Sequence, residues 1–277
     1  MKKKIAIQGY EGSFHHLAAI RHYGEDIDLI CCDRFSDVVQ NVSSDPECKG
    51  GVMAIENSIV GSILPNYGLI AKSGLYIPGE VYLQIDQNLL VNPDVQFDEI
   101  REVHSHPMAL LQCADFLEKQ DWKIVSTEDT ALSALRVHKT KSKHIAAIAG
   151  KFAAQLFNLE IIRPNIQTNG HNYTRFWILQ KKIQNIETAN KASMVFVTDH
   201  STGALARVLT AIAQCGVNMT KVQSLPIPGT DWKYAFHVDC EFANLDRWHC
   251  VLEAIKPVTA SIKVYGVYTD GKNYKNA

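Results

Sequence analysis

Lys4-Ile5-Ala6-Ile7-Gln8-Gly9-Tyr10-Glu11-Gly12-Ser13-Phe14 decides the architecture. A short apolar run ends at a glycine, a second glycine follows three positions on, and Phe14, Leu17, Ala18 and Arg21 then share one helical face. A strand, a glycine turn and a helix in that order open an α/β sheet. The pattern recurs along the chain. Val52-Met53-Ala54-Ile55 reads as a strand, followed by a helix from about Ser62 that stops near Gly74. Glu102-Val103-His104 leads into a helix over 108–117 with Pro107 in its first turn. Lys123-Ile124-Val125, Ile145-Ala146-Ala147-Ile148 and Arg175-Phe176-Trp177-Ile178-Leu179 supply further strands.

The composition shifts over 180–193, a stretch rich in Lys, Asn, Gln and Thr that reads as a linker. Beyond it come strand 194–198, helix 204–214 closed by Gly216, and strand 218–225. A turn at Pro228-Gly229-Thr230-Asp231 precedes a strand in which Tyr234, Phe236, Val238 and Cys240 alternate with polar residues. Helix 245–255 and strand 261–267 complete a β-α-β-β-α-β order, the ferredoxin-like split unit.

Composition narrows the function. The 277 residues are 46% hydrophobic and 21% charged, which suits a globular chain with a sizeable core. Lys plus Arg total 28 against 29 for Asp plus Glu, a net charge of -1 with no basic stripe, so nucleic acid is excluded as a partner. No run approaches the roughly 18 apolar residues of a membrane span. The basic start breaks its apolar run too early for a signal peptide. The cysteines at 31, 32, 48, 113, 215, 240 and 250 are odd in number and include no C-x-x-C. They read as free thiols, consistent with a reducing cytosol and with neither a disulfide framework nor a zinc site.

Three corners share one design, in which a strand ends, small or polar residues follow, and a helix begins. They are the Gly9 to Phe14 turn, Glu56-Asn57-Ser58 with the residues to Ser62, and His104-Ser105-His106-Pro107. Helix N-termini favour anions, and ligands of α/β sheets gather at the carboxyl ends of strands. Three such corners in one cleft would hold a small carboxylate without a metal, and His104 with His106 is not read as a metal pair. The plain alternative makes Ser13, Ser62 and Ser105 helix N-caps, a role that fits Ser62 best. A fourth cluster is Asn172-Tyr173-Thr174-Arg175-Phe176, where Thr and Arg head an apolar strand. Arg suits bidentate recognition of a carboxylate and Thr174 offers a hydroxyl; a strand-edge Thr and a surface ion pair would serve structure alone.

Gly12-Ser13-Phe14 with Ala18-Ala19, Ile55-Glu56-Asn57-Ser58, Ser105-His106-Pro107 with Gln112-Cys113, and Asn172 to Phe176 occur in that order. Together they resemble prephenate dehydratase over nearly the whole chain. The C-terminal part resembles the ACT regulatory domain, with Thr202-Gly203-Ala204-Leu205 and Gly216-Val217-Asn218 in place. Two departures stand out. Tyr10 and Ser13 replace the family's Pro and Thr in the first glycine loop, and Gln223-Ser224-Leu225-Pro226 replaces Glu-Ser-Arg-Pro. The second removes two charges and bears on phenylalanine feedback.

The resemblance implies a two-lobed catalytic domain over 1–180, similar to periplasmic binding proteins. Lobe one would take about 1–83 and 170–180, and lobe two about 84–169, with an ACT domain over 194–277. It implies a lyase that converts prephenate to phenylpyruvate, carbon dioxide and water in phenylalanine biosynthesis. No cofactor is required, because aromatisation of the ring drives the reaction. Thr174 is then expected to bond the leaving hydroxyl, with Glu56 as a proton source if burial raises its pKa. Asn57, Gln112 and Ser105 would complete the catalytic set, and Ser13, Phe14, Ser58, Arg175 and Phe176 would bind substrate. Gly203, Ala204, Leu205, Asn218 and Ser224 would form an effector pocket for L-phenylalanine at the contact of a homodimer or homotetramer. Localisation would be cytoplasmic. The rivals are arogenate dehydratase, acting on the aminated substrate, and a non-catalytic amino-acid sensor of the same fold.

Overall fold

The computed structural model describes residues 2–183 and 186–272 and builds three sheets. The expected linker therefore includes two residues, 184 and 185, that lie outside the described part. The first sheet draws on β1 (Lys3–Gln8), β2 (Ile27–Cys32), β3 (Cys48–Asn57), β4 (Gly61–Ser62) and β5 (Tyr76–Gln84). Helices α1 (Phe14–Tyr23), α2 (Phe35–Ser44) and α3 (Leu64–Ser73) separate these strands. The chain then builds a second sheet from β6 (Asn88–Val91), β7 (Glu102–Ser105), β8 (Lys123–Ser126), β9 (Ile145–Ala149) and β10 (Glu160–Arg163). Its helices are α4 (Pro107–Gln112), α5 (Ala114–Leu117), α6 (Thr130–Thr140) and α7 (Lys151–Leu156). Strand β11 (Tyr173–Gln180) returns to the first sheet, between β3 and β5 and antiparallel to both.

The third sheet follows the expected order of elements: β12 (Lys191–Val197), α8 (Ala204–Gln214), β13 (Asn218–Pro226), β14 (Tyr234–Glu241), α9 (Leu245–Ile255) and β15 (Ser261–Tyr268). Its antiparallel strands run β13-β14-β12-β15. One face packs on α8 and α9 through Met194, Phe196, Val208, Ile212, Trp248 and Val251. The other face lies on the first sheet, where Val195, Tyr265 and Tyr268 join Trp177, Tyr67 and Ile77 in one core. The contact is close enough that a Cβ on Gly266 would stand 1.8 Å from the Ile77 carbonyl oxygen.

The structure departs from the sequence pattern at several places. Strand β12 begins at Lys191, not Met194, because Lys191 and Ser193 are polar residues buried against partners in the sheet contact. The helix over 108–117 is two short helices broken at Cys113. Ser62 caps no helix; it sits in β4, and the N-cap residue of α3 is Ile63. Ser105 caps none either, since His106 holds that position. Cys215 and Cys250 form a disulfide that ties the end of α8 to α9, so the thiols are not all free. Among the described residues, no helix is long and apolar enough to cross a membrane.

Candidate active site

A cavity of about 260 Å³ opens between the first and second sheets. Ser13, Phe14, His15, Asn57, Thr174 and Phe176 line it from the first, and Gln87, His106, Gln112, Asp129 and Thr130 from the second. Of the residues singled out in the sequence, this brings together Ser13, Phe14, Asn57, His106, Gln112, Thr174 and Phe176.

Asn57 and Thr174 face each other across the β3–β11 ladder. The Asn57 amide nitrogen donates to Thr174 Oγ1 at 3.0 Å, to Asn172 Oδ1 at 2.6 Å and to the Tyr173 carbonyl at 3.2 Å. Its amide oxygen accepts from the backbone N–H groups of Ile59 and Val60. Asn57 is thus fixed from both ends. The threonine oxygen accepts from it, which leaves the hydroxyl proton of Thr174 to be donated elsewhere.

The two charged neighbours point the other way. A β-bulge at Ile55 pairs Arg175 with Glu56 but Phe176 with Ala54. Ile55 and Glu56 therefore both turn from the cavity, and Asn57 turns into it. Without the extra residue, Glu56 would share the cavity face of Ala54. Glu56 instead accepts from Lys221 of β13, and its other oxygen lies 3.7 Å from Arg175. Arg175 is buried on that same face. It donates to Glu80 at 2.6 Å, to Asp239 and to the Tyr268 hydroxyl at 3.1 Å. Neither Glu56 nor Arg175 lines the cavity, which corrects the expected proton source and carboxylate clamp.

Two serines are structural as well. The fully buried Ser105 donates to the Ile148 carbonyl at 2.6 Å, joining β7 to the neighbouring β9. Ser58 accepts from Tyr173 N–H and donates to the His171 carbonyl, pinning the start of β11. Ser13 does both jobs: it caps α1 by accepting from His16 N–H, and it borders the cavity. Gly203 takes the left-handed conformation before α8, Ala204 is buried behind it, and Leu205 packs into the core of the third sheet. Asn218 and Ser224 are exposed on the edge strand β13.

Among the cavity residues that the sequence motifs do not mark are His15, Gln87 and Asp129. His15 follows Phe14 in α1; its Nε2 accepts from Ala54 N–H, and its ring packs edge-on against Phe176. Burial pushes its pKa down to about 3, so it is neutral. Gln87 donates to Gln112 Oε1 at 3.3 Å and orients it. Asp129 caps α6, with Oδ1 accepting from Leu132 N–H at 2.8 Å. Burial raises the Asp129 pKa, against the pull of the Leu132 and Ala131 amides and of His106. Its Oδ2 lies against Gly9, where a Cβ would stand 2.9 Å away, so the bare turn lets this carboxyl close on the first sheet. Its sequence signal was an Asp-Thr pair heading a helical pattern.

A profile of the prephenate dehydratase family matches residues 5–184. The bifunctional chorismate mutase/prephenate dehydratase of Enterobacter agglomerans is 32% identical over 96% of this chain and 70% of its own length. The chain belongs to the prephenate dehydratase family. Arogenate dehydratase/prephenate dehydratase 1 of Arabidopsis thaliana is 31% identical over 96% of this chain and 72% of its own. Among solved structures, GqqA, described as a quorum-quenching acylase, superposes with a TM-score of 0.85 at 27% identity, covering 98% of this chain and all of its own. The Arthrobacter aurescens prephenate dehydratase in complex with L-Phe gives 0.84 at 22% identity, covering 98% and 91%. As a prephenate dehydratase, the chain is a hydro-lyase acting in phenylalanine biosynthesis, and its mixed α/β sheets are those of the solved relatives.

Proposed function

We propose that the cavity between the first two sheets is where prephenate loses water and carbon dioxide, with Thr174 bonding the leaving hydroxyl and Asp129 supplying the proton. The observation that carries this reading is the Asn57–Thr174 pair, an amide-oriented hydroxyl on the wall of the cavity. The bond from the ring carbon to its hydroxyl breaks, and so does the bond from the ring to its carboxylate. The electron pair of the second bond enters the ring, which becomes aromatic. The hydroxide leaves as water by taking one proton, which Asp129 gives and regains from solvent. A threonine hydroxyl is too weak an acid for that step and serves as a fixed donor to developing charge. A buried carboxyl facing a dianionic ligand is pushed further toward its protonated form. Gln112, oriented by Gln87, and Ser13 with Phe14 at the start of α1 would hold the substrate.

We read residues 1–180 as a two-lobed catalytic domain like periplasmic binding proteins, divided at about 83 and 170, and 194–277 as a ferredoxin-like ACT domain. L-phenylalanine is the proposed effector, bound near Gly203, Ala204, Leu205, Asn218 and Ser224 in a homodimer or homotetramer in the cytoplasm. The Arthrobacter relative bound to L-Phe supports the ligand. Arogenate is the second candidate substrate, favoured by the Arabidopsis relative. Following phenylpyruvate from prephenate, and phenylalanine from arogenate, decides between the two substrates. Turnover of neither substrate would refute the site. In calorimetry, L-phenylalanine should release heat and inhibit the reaction; no heat with no inhibition would reduce the third sheet to an assembly role.

A further inference from the structure

We propose that Lys221, on the edge strand of the third sheet, is a positioning residue for the reaction. It would act by clamping the turn that carries Asn57 and part of the cavity wall. Its ammonium donates to Glu56 Oε1 at 2.5 Å and to Ser62 Oγ at 2.7 Å. Those acceptors are cross-strand partners that bracket the turn from Asn57 to Gly61. From this turn, Asn57 holds Thr174 while Val60, and Ile63 just beyond Ser62, line the cavity. One side chain from the third sheet therefore closes the hairpin on which the proposed hydroxyl donor depends.

The aim of this contact is built into both strands. The bulge at Ile55 turns Glu56 toward the third sheet. A second bulge lies opposite: β13 pairs Met219 with Cys240 but Lys221 with Asp239, skipping Thr220. Met219 packs on the helices, and the extra residue rotates Lys221 to the opposite face. Two independent irregularities in two sheets thus point a carboxylate and an ammonium at each other. Sheet adhesion alone does not need them, because the deeper pairs of Arg175 with Asp239 and Glu80, and of Lys191 with Glu80, already join the sheets. The Lys221–Glu56 pair is the shallower one, with a third of the Glu56 side chain exposed. With a third of Glu56 open to water and Arg175 3.7 Å away, removing Lys221 strands no carboxylate, so global stability should fall little.

The inference rests on reading the cavity as the prephenate site, and its test separates the two. In the full chain, Lys221→Met should lower kcat for prephenate on the order of tenfold, with a smaller change in KM. Melting temperature should hardly move, and amide exchange over 58–63 should quicken. Lys221→Arg, which can still reach Glu56 and Ser62, should restore most of both. Unchanged exchange over 58–63 in Lys221→Met would overturn the proposal whether or not prephenate is the substrate. So would a kcat loss that Lys221→Arg fails to recover and that follows a general loss of stability. If the wild-type chain does not turn prephenate over, the functional reading fails while the exchange result still decides the clamp.

Discussion

Strands β3 and β11 have two faces, and the chemistry on them is opposite in kind. Toward the second sheet they present Asn57, Thr174 and Phe176, neutral groups around a cavity whose described lining contains neither Arg nor Lys. Toward the third sheet they present Glu56 and Arg175, part of a buried lattice with Glu80, Asp239, Lys191 and Tyr268. The full charges are spent on holding sheets together. The cavity keeps oriented dipoles and one carboxyl that burial pushes toward its neutral form. Fixed dipoles suit a reaction in which charge develops and leaves, because they need not be desolvated anew at each turnover.

The largest effect should come from breaking the charged face. Arg175→Met would leave Glu80 and Asp239 buried without their shared cation, a loss of about 3–5 kcal/mol. Denaturant unfolding would measure it. Were stability instead unchanged while substrate binding collapsed, Arg175 would be a ligand for the substrate and the contrast between the two faces would fail.

Thr174→Val tests the neutral face. Valine keeps the shape, and Asn57 keeps its bonds to Asn172 and Tyr173, so stability should fall by only about 1 kcal/mol. Removing a donor to developing charge should cost about 10²–10³ in kcat. Near-normal turnover in a folded variant would remove Thr174 from the chemistry.

This contrast was only half legible in the sequence. The apolar strands, the glycine turn and the Asn172 to Phe176 cluster placed Thr174 and Asn57 at strand ends, where the cavity is. Thr174 and Arg175 are adjacent on one strand, and alternation forbids both from entering the same cleft. The resemblance assigns both to the substrate, and the strand pleat allows only one. Glu56 is harder to place: simple alternation from Ala54 would aim it into the cavity, and only the bulge at Ile55 reverses this. A one-residue bulge leaves no mark in a run such as Val52 to Asn57. Lys191 looked like linker because its burial depends on Glu80, more than a hundred residues away. Asp129, Gln87 and His15 lie outside the family motifs, and the cavity assembles them by packing two sheets together.

The finest test concerns Asp129, the one acidic group on the neutral face. Asparagine retains the helix cap, since its side-chain oxygen can still accept from Leu132 N–H, so the fold should survive. Its loss as a proton donor should lower kcat by about 10²-fold, the low end for general acid catalysis. The pH dependence carries the sign. Burial favours the protonated carboxyl, so the active form persists above the ordinary carboxylate range, and activity should hold on the acid side and fall as pH rises through the raised value. Glu128 reinforces that rise, whereas His106, when protonated, opposes it. Tyr10 and Cys31 also feel the Asp129 charge. In Asp129→Asn the falling limb should disappear along with most of the rate. A limb that survives the substitution unchanged would belong to another group. A pH profile and rate equal to the wild type would leave the neutral face with no acid, so that the leaving hydroxyl would have to take its proton from solvent.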